Sequence, residues 1–97
     1  MTIKPIWTLI FDKLAYKHLN KLDKPIQKQI IHYFESKVLL SENPRQFAEP
    51  LIGDLIGYYR FRIGTYRVIC IFEDHELVIT AVEVAHRKQC YVDMKRR

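Results

Sequence analysis

Apolar residues recur along this chain in two rhythms, one near-continuous or alternating, the other helical. Between Ile6 and Phe11 the run IWTLIF is almost unbroken, rich in strand formers, and follows Pro5. It predicts a buried β-strand. From Asp12 the spacing lengthens: Ala15, His18/Leu19 and Leu22 fall at helical intervals, with Lys13, Lys17 and Lys21 on the other side. A helix capped by Asp12 is therefore expected as far as about Leu22. LDKP interrupts it, with Asp23 suited to an N-cap and Pro25 tolerated in a first turn. A second helix to about Leu40 then aligns Ile26, Ile30, Phe34 and Val38 in one stripe. So short a break between amphipathic helices predicts an antiparallel helix hairpin, and Asn43-Pro44 ends it.

Residues 43–57, with two prolines and two glycines, read as a loop with room for one helical turn. Strands are expected at 58–63, 66–73 and 77–85, with turns at Gly64-Thr65 and around Asp74-His75. The order β-α-α-β-β-β predicts an α+β domain spanning residues 1–97. In it one antiparallel meander carries the helix pair on a single face.

Register gives the segment YYRFRIGTYRVICIF its interest. Gly64 first in a two-residue turn suits type II′, which pairs Ile63 with Tyr66, Arg62 with Arg67, Phe61 with Val68 and Arg60 with Ile69. Tyr59, Phe61, Ile63, Tyr66, Val68, Cys70 and Phe72 then face the core. Tyr58, Arg60, Arg62, Arg67, Ile69 and Ile71 face the other way. Arg62 directly opposite Arg67 is a destabilising like-charge pair. A solvated sheet face is the plain alternative. Three arginines on one face, two of them opposed, favour an anion site, and the guanidinium fork suits phosphate oxygens. With a two-residue turn at Asp74-His75, Val78, Thr80, Val82, Val84 and His86 would share this basic face. His86, Arg87 and Tyr91 would then gather at the strand end and add titrating groups to a basic cleft.

Composition agrees. The 97 residues carry a formal charge of +5, which favours a polyanionic partner, by default nucleic acid. Cys70 and Cys90 have no metal-type spacing and point to a reduced, cytoplasmic protein. The N-terminal apolar run is too short for a signal peptide, and no run is long enough for a membrane span. His75 sits between two acids, but three consecutive turn residues do not converge on one ion. His18 and His32 lack acidic partners at ligand spacing. No metal or other cofactor is expected. Cys90 near His86 suggests a thiol nucleophile only in isolation, and nothing else argues for acyl chemistry.

The KLDK break, PLIGDLIGYYRFRIGTYRVICIF and VEVAHRKQCY, in this order, resemble the RelE/ParE superfamily of type II toxins from Trp7 to Tyr91. The pattern G-x-Y-R-x-R-x-G-x-Y-R followed by H-R-x-x-x-Y is the specific part. The resemblance implies a RelE-like fold and a toxin held inactive by a small cognate antitoxin, RelB-like or other. RelE-like members enter the 70S ribosome and cleave mRNA without metal, the ribose 2′-hydroxyl attacking its own 3′-phosphate. ParE-like members inhibit DNA gyrase without catalysis and generally lack the basic-plus-His/Tyr cluster. The cluster here favours the endoribonuclease branch, with gyrase inhibition as the alternative and a plain RNA-binding module as a third reading. By resemblance, Arg60 and Arg62 stand where the family places basic residues, often lysines. Arg67 matches its strand arginine, and Arg87 and Tyr91 its C-terminal Arg and Tyr. His86 matches the histidine of members that use one, and Lys88 extends the RNA-binding set. Arginine does not deprotonate, so His86 is the expected proton acceptor and Tyr91 a stacking or second acid/base group.

Overall fold

A computed structural model of the chain describes residues 4–88. Strand β1 (Thr8–Phe11) leads through Asp12 into helix α1 (Lys13–Asn20), and Asp12 Oδ1 accepts the amide of Ala15 at 2.9 Å. That bond satisfies one of the amides a helix start leaves open. Helix α2 (Lys24–Tyr33) has Pro25 in its first turn, and Asp23 caps it by position, without a side-chain bond. The helix does not run on unchanged to Leu40 as its periodicity suggests. It widens into a π-turn at Phe34–Val38, where the Leu39 amide reaches back to Phe34 O at 2.9 Å. The wide turn keeps both Phe34 and Val38 fully buried. The expected loop holds two 3₁₀ turns, Pro44–Phe47 and Gly53–Leu55, flanking a two-residue strand β2 (Glu49–Pro50). Strands β3 (Tyr59–Ile63), β4 (Tyr66–Glu73) and β5 (Val78–His86) complete the order.

The sheet runs β1-β5-β4-β3-β2. It is mixed, which corrects the expectation of a wholly antiparallel sheet: β1 lies parallel to β5, from Thr8 beside Val78 to Phe11 beside Ala81. Parallel neighbours need a long crossover, and both helices with the β3–β4 hairpin fill the stretch between them. As an edge strand β1 is half-buried rather than buried. Leu9 and Phe11 pack inward while Ile10 stays 47% exposed.

One face of the sheet carries both helices. Ala15 and Leu19 of α1 and Ile30 of α2 join Phe34 over Phe61, Ile63, Val68, Cys70, Ile79, Ala81 and Val84. Phe34 meets Phe61 edge-on at 4.9 Å, Phe72 meets Tyr59 at 4.9 Å, and Trp7 meets Phe72 at 5.7 Å. Burial of the Cys70 thiol pushes its pKa well up, so Cys70 behaves as the small hydrophobe its strand position implies. Cys90 lies outside the described residues.

Arg45, which the sequence left unremarked, closes one end of this core. Its guanidinium lies 4.3 Å from the centroid of the Phe72 ring and 5.3 Å from that of Tyr59. It also grips Asp74 with two parallel bonds of 2.7 and 2.9 Å. Asp74 opens a four-residue turn, longer than expected, in which Leu77 takes φ +55° so that Glu73 pairs with Val78.

Two outcomes follow from this frame. The Arg45 bonds hold the Asp74 carboxyl below its ordinary range. A depressed carboxyl contributes stability above its ordinary pKa and loses it as pH falls through the depressed value. Both partners are well exposed, so the pair is worth at most about 1 kcal/mol. The melting-temperature gap between wild type and Asp74→Asn should be open at neutral pH and close in strong acid. Gly64→Ala should cost about 1–2 kcal/mol in urea unfolding. Gly64 sits at φ +60°, and an added Cβ would stand 3.0 Å from the Gln29 side chain.

Candidate anion-binding face

The β3–β4 hairpin has the register the sequence predicts. Ile63 pairs with Tyr66, Arg62 with Arg67, Phe61 with Val68 and Arg60 with Ile69. Gly64 has a positive φ and Thr65 does not, which makes the turn type II′ rather than I′. Phe61, Ile63, Val68 and Cys70 go into the core, so period-two alternation turns Arg60, Arg62 and Arg67 together onto the face away from the helices.

That face is not without a counter-charge. Glu49, on the short strand β2, pairs in register with Arg60, and its carboxylate bridges two arginines. Arg60 Nη2 lies 2.5 Å from Oε2, and Arg62 Nε lies 2.7 Å from Oε1. The hydrogen bond from Arg60 leads, with the charges of Arg62 and Arg67 adding to it, in holding the Glu49 carboxyl below its ordinary range. Arg67 instead folds back onto the hairpin turn, donating to Gly64 O at 3.3 Å and Tyr66 O at 3.0 Å. Sequence reasoning missed Glu49 because its segment read as loop. The available signal was an acid in the segment that leads to the arginine-bearing strand.

The strand end differs from expectation, and a β-bulge is the cause. Pairing between β4 and β5 shifts between Ile69 and Cys70: Ile69 faces Glu83 while Cys70 faces Ala81. An extra residue in one strand reverses the alternation beyond it. Val78, Thr80 and Val82 keep the outward side as expected. Val84 instead enters the main core, and His86 pairs with Tyr66 on the helix side. His86 therefore does not share the arginine face. Its ring stands edge-on to Tyr66 at 5.5 Å, and its Nδ1 accepts the Lys88 amide at 3.3 Å. A neutral imidazole with Nδ1 as acceptor carries its proton on Nε2. The Arg87 amide donates to Thr65 O at 2.8 Å, tying the end of β5 to the hairpin turn beside Arg67. Arg87 and Lys88 are exposed there, and Tyr91 lies outside the described residues.

A second, smaller apolar cluster supports the arginine face from within. Leu51 packs with Ile69 and Val82, aided by Leu55 and Tyr58, and the Leu51 amide bonds Tyr58 O at 2.9 Å. Glu83 is buried in the same row as Arg60, with Ile69 between them.

The family model for the ParE toxin of type II toxin-antitoxin systems matches residues 9–91. The chain belongs to this toxin family. It is 28% identical to Toxin RelG of Mycobacterium tuberculosis over 85 residues, which are 88% of this chain and 95% of that one. Its fold superposes with TM-score 0.76 and 26% identity on the RelBE2 toxin-antitoxin complex of M. tuberculosis, covering 87% of this chain and 100% of that chain. The archaeal RelE-RelB complex from Pyrococcus horikoshii gives TM-score 0.64 at 26% identity, with 88% and 99% covered. The expected α+β RelE-like architecture thus holds, with the parallel edge strand added.

Arg67 faces Arg62 with no carboxylate bond of its own among the described contacts. Arg67→Thr should therefore stabilise the fold by about 0.2–1 kcal/mol through relief of the like-charge pair. Urea unfolding at low and high salt checks it, the gain shrinking as salt screens the pair.

Proposed function

We propose that this toxin is a RelE-like endoribonuclease that cuts mRNA on the ribosome, with the outward sheet face receiving the RNA backbone. The observation that carries this reading is Arg62 placed directly opposite Arg67, with Arg60 two residues along the same face. A fold tolerates that repulsion where an anion is to be bound. Guanidiniums present forked, permanently charged donors that suit the equatorial oxygens of a phosphate under attack.

In the reaction the ribose 2′-oxygen bonds to phosphorus as the bond to the 5′-oxygen breaks, leaving a cyclic phosphate. Arg62 and Arg67 stabilise the added charge, and Arg60, Arg87 and Lys88 hold the flanking backbone. His86 lies at the end of β5, where the Arg87–Thr65 tie brings the strand beside the hairpin turn. Neutral His86 takes the proton of the 2′-hydroxyl as that oxygen attacks, and the departing 5′-oxygen takes its proton from solvent. Tyr91 keeps the stacking role that the resemblance implies. A cognate antitoxin is the partner this reading requires, and the RelBE2 and archaeal RelE-RelB structures, each a toxin-antitoxin complex, support it. The ParE name of the matching family model favours a second reading, gyrase inhibition by binding alone.

Mapping transcript 5′ ends after brief induction separates the two. New ends within translated codons are expected, and growth arrest with intact transcripts and DNA-damage signalling would overturn the nuclease reading. With purified ribosomes, Arg67→Ala should slow single-turnover cleavage on the order of 10²–10³-fold, and His86→Gln roughly 10²–10⁴-fold. EDTA should leave the rate unchanged. Arg62→Ala should also flatten the fall of log affinity with log salt, by roughly 0.7 for one lost contact to a single strand.

A further inference from the structure

We propose that Glu49 is a built-in competitor for the RNA phosphate, occupying the guanidinium forks of Arg60 and Arg62 until an incoming phosphate displaces it. The inference rests on the RNA-face reading above and adds a residue that controls access to that face.

Geometry supplies the argument. Register sets Glu49 opposite Arg60, and its two carboxylate oxygens are shared out, Oε2 to Arg60 and Oε1 to Arg62. A carboxylate in this position uses the donors a phosphate would use, so the two anions cannot both be served in full. The backbone that carries it is fixed. Pro50 follows directly, Leu51 is anchored in the cluster with Ile69 and Val82, and its amide is bonded to Tyr58 O. Its side chain is 47% exposed, so the carboxylate can turn outward into water without disturbing the fold. Ion pairs at such exposure are weak, whereas a phosphate adds Arg67 to the same contacts. Exchange therefore favours RNA that reaches all three arginines over a polyanion that touches only one or two. With Glu49 in place the formal charge of the arginine face is one unit less positive than without it. That lowers affinity for bulk RNA and sharpens the demand on geometry.

The test is equilibrium binding of the full chain, freed of antitoxin, to a short 2′-O-methyl RNA that cannot be cleaved. Glu49→Gln keeps the shape and removes the charge. It should tighten binding on the order of threefold to tenfold, the size expected when two partly exposed ion pairs no longer have to be broken. Glu35→Gln, on the π-turn away from this face, controls for one unit of net charge and should change affinity far less. In an Arg60→Ala, Arg62→Ala background the gain from Glu49→Gln should fall to that of the control. A gain no larger than the control, or one that persists without the two arginines, overturns the proposal. If removing the two arginines does not weaken RNA binding in the first place, the RNA face and the competitor fall together. If the arginines matter and Glu49→Gln leaves affinity unchanged, the competitor alone falls. Melting curves of each variant verify that the fold is retained.

Discussion

Alternation by two along the β3–β4 hairpin is the constraint on which the site depends. Phe61, Ile63, Val68 and Cys70 are buried against Phe34, Ile30 and Ala15. Shifting the hairpin by one residue would exchange that apolar row for the arginines. The core therefore fixes the register, and the register fixes Arg62 opposite Arg67. The type II′ turn enforces the same pairing, since Gly64 takes the φ that its first position needs. Hydrophobic burial worth several kcal/mol in total thus holds in place a charge contact that is unfavourable by itself.

The bulge in β5 decides what accompanies those arginines. By reversing the alternation past Val82 it sends Val84 into the core and His86 to the helix side, and puts Glu83 in the row of Arg60. The outward face keeps the three guanidiniums, with Glu49 beside two of them and buried Glu83 in the row of Arg60. The imidazole stands around the strand end, beside the turn that Arg67 folds onto. On the proposed nuclease reading, charge stabilisation and proton transfer would be held by different elements, the sheet carrying the first and the strand terminus the second. The Arg87–Thr65 bond links the two.

Much of this is legible in the sequence, for identifiable reasons. Helix α1 with its Asp12 cap, the hairpin register and the shared arginine face all follow from local rules, namely capping chemistry, turn chemistry and period-two burial. What was not legible depends on pairing between distant segments. The parallel match of β1 with β5 arises only after both helices have crossed the sheet. The π-turn after Tyr33 leaves no mark in a stripe that already reads as helical. The bulge at Val82 is silent because VITAVEVAH alternates plausibly under either parity. Glu49 was hidden for a related reason. A strand of two residues offers no periodicity, and its meaning comes from lying next to Arg60.

The misplacement of His86 shows how one local event propagates to chemistry. The expected turn of two residues is four residues long, yet both lengths give the same parity, so Thr80 still faces outward with Ile71. Turn length therefore did not cause the error. One extra residue further along the hairpin, at the Ile69/Cys70 step, did. The imidazole of His86 is therefore found on the helix side with Tyr66, its Nδ1 accepting the Lys88 amide. The arginines, set before the bulge, are where the alternation puts them. Residues on the turn side of Ile69 in β4 and throughout β3 inherit their roles from core burial. Residues past Val82 inherit theirs from the bulge, and only there do the sequence pattern and the reactive groups part company.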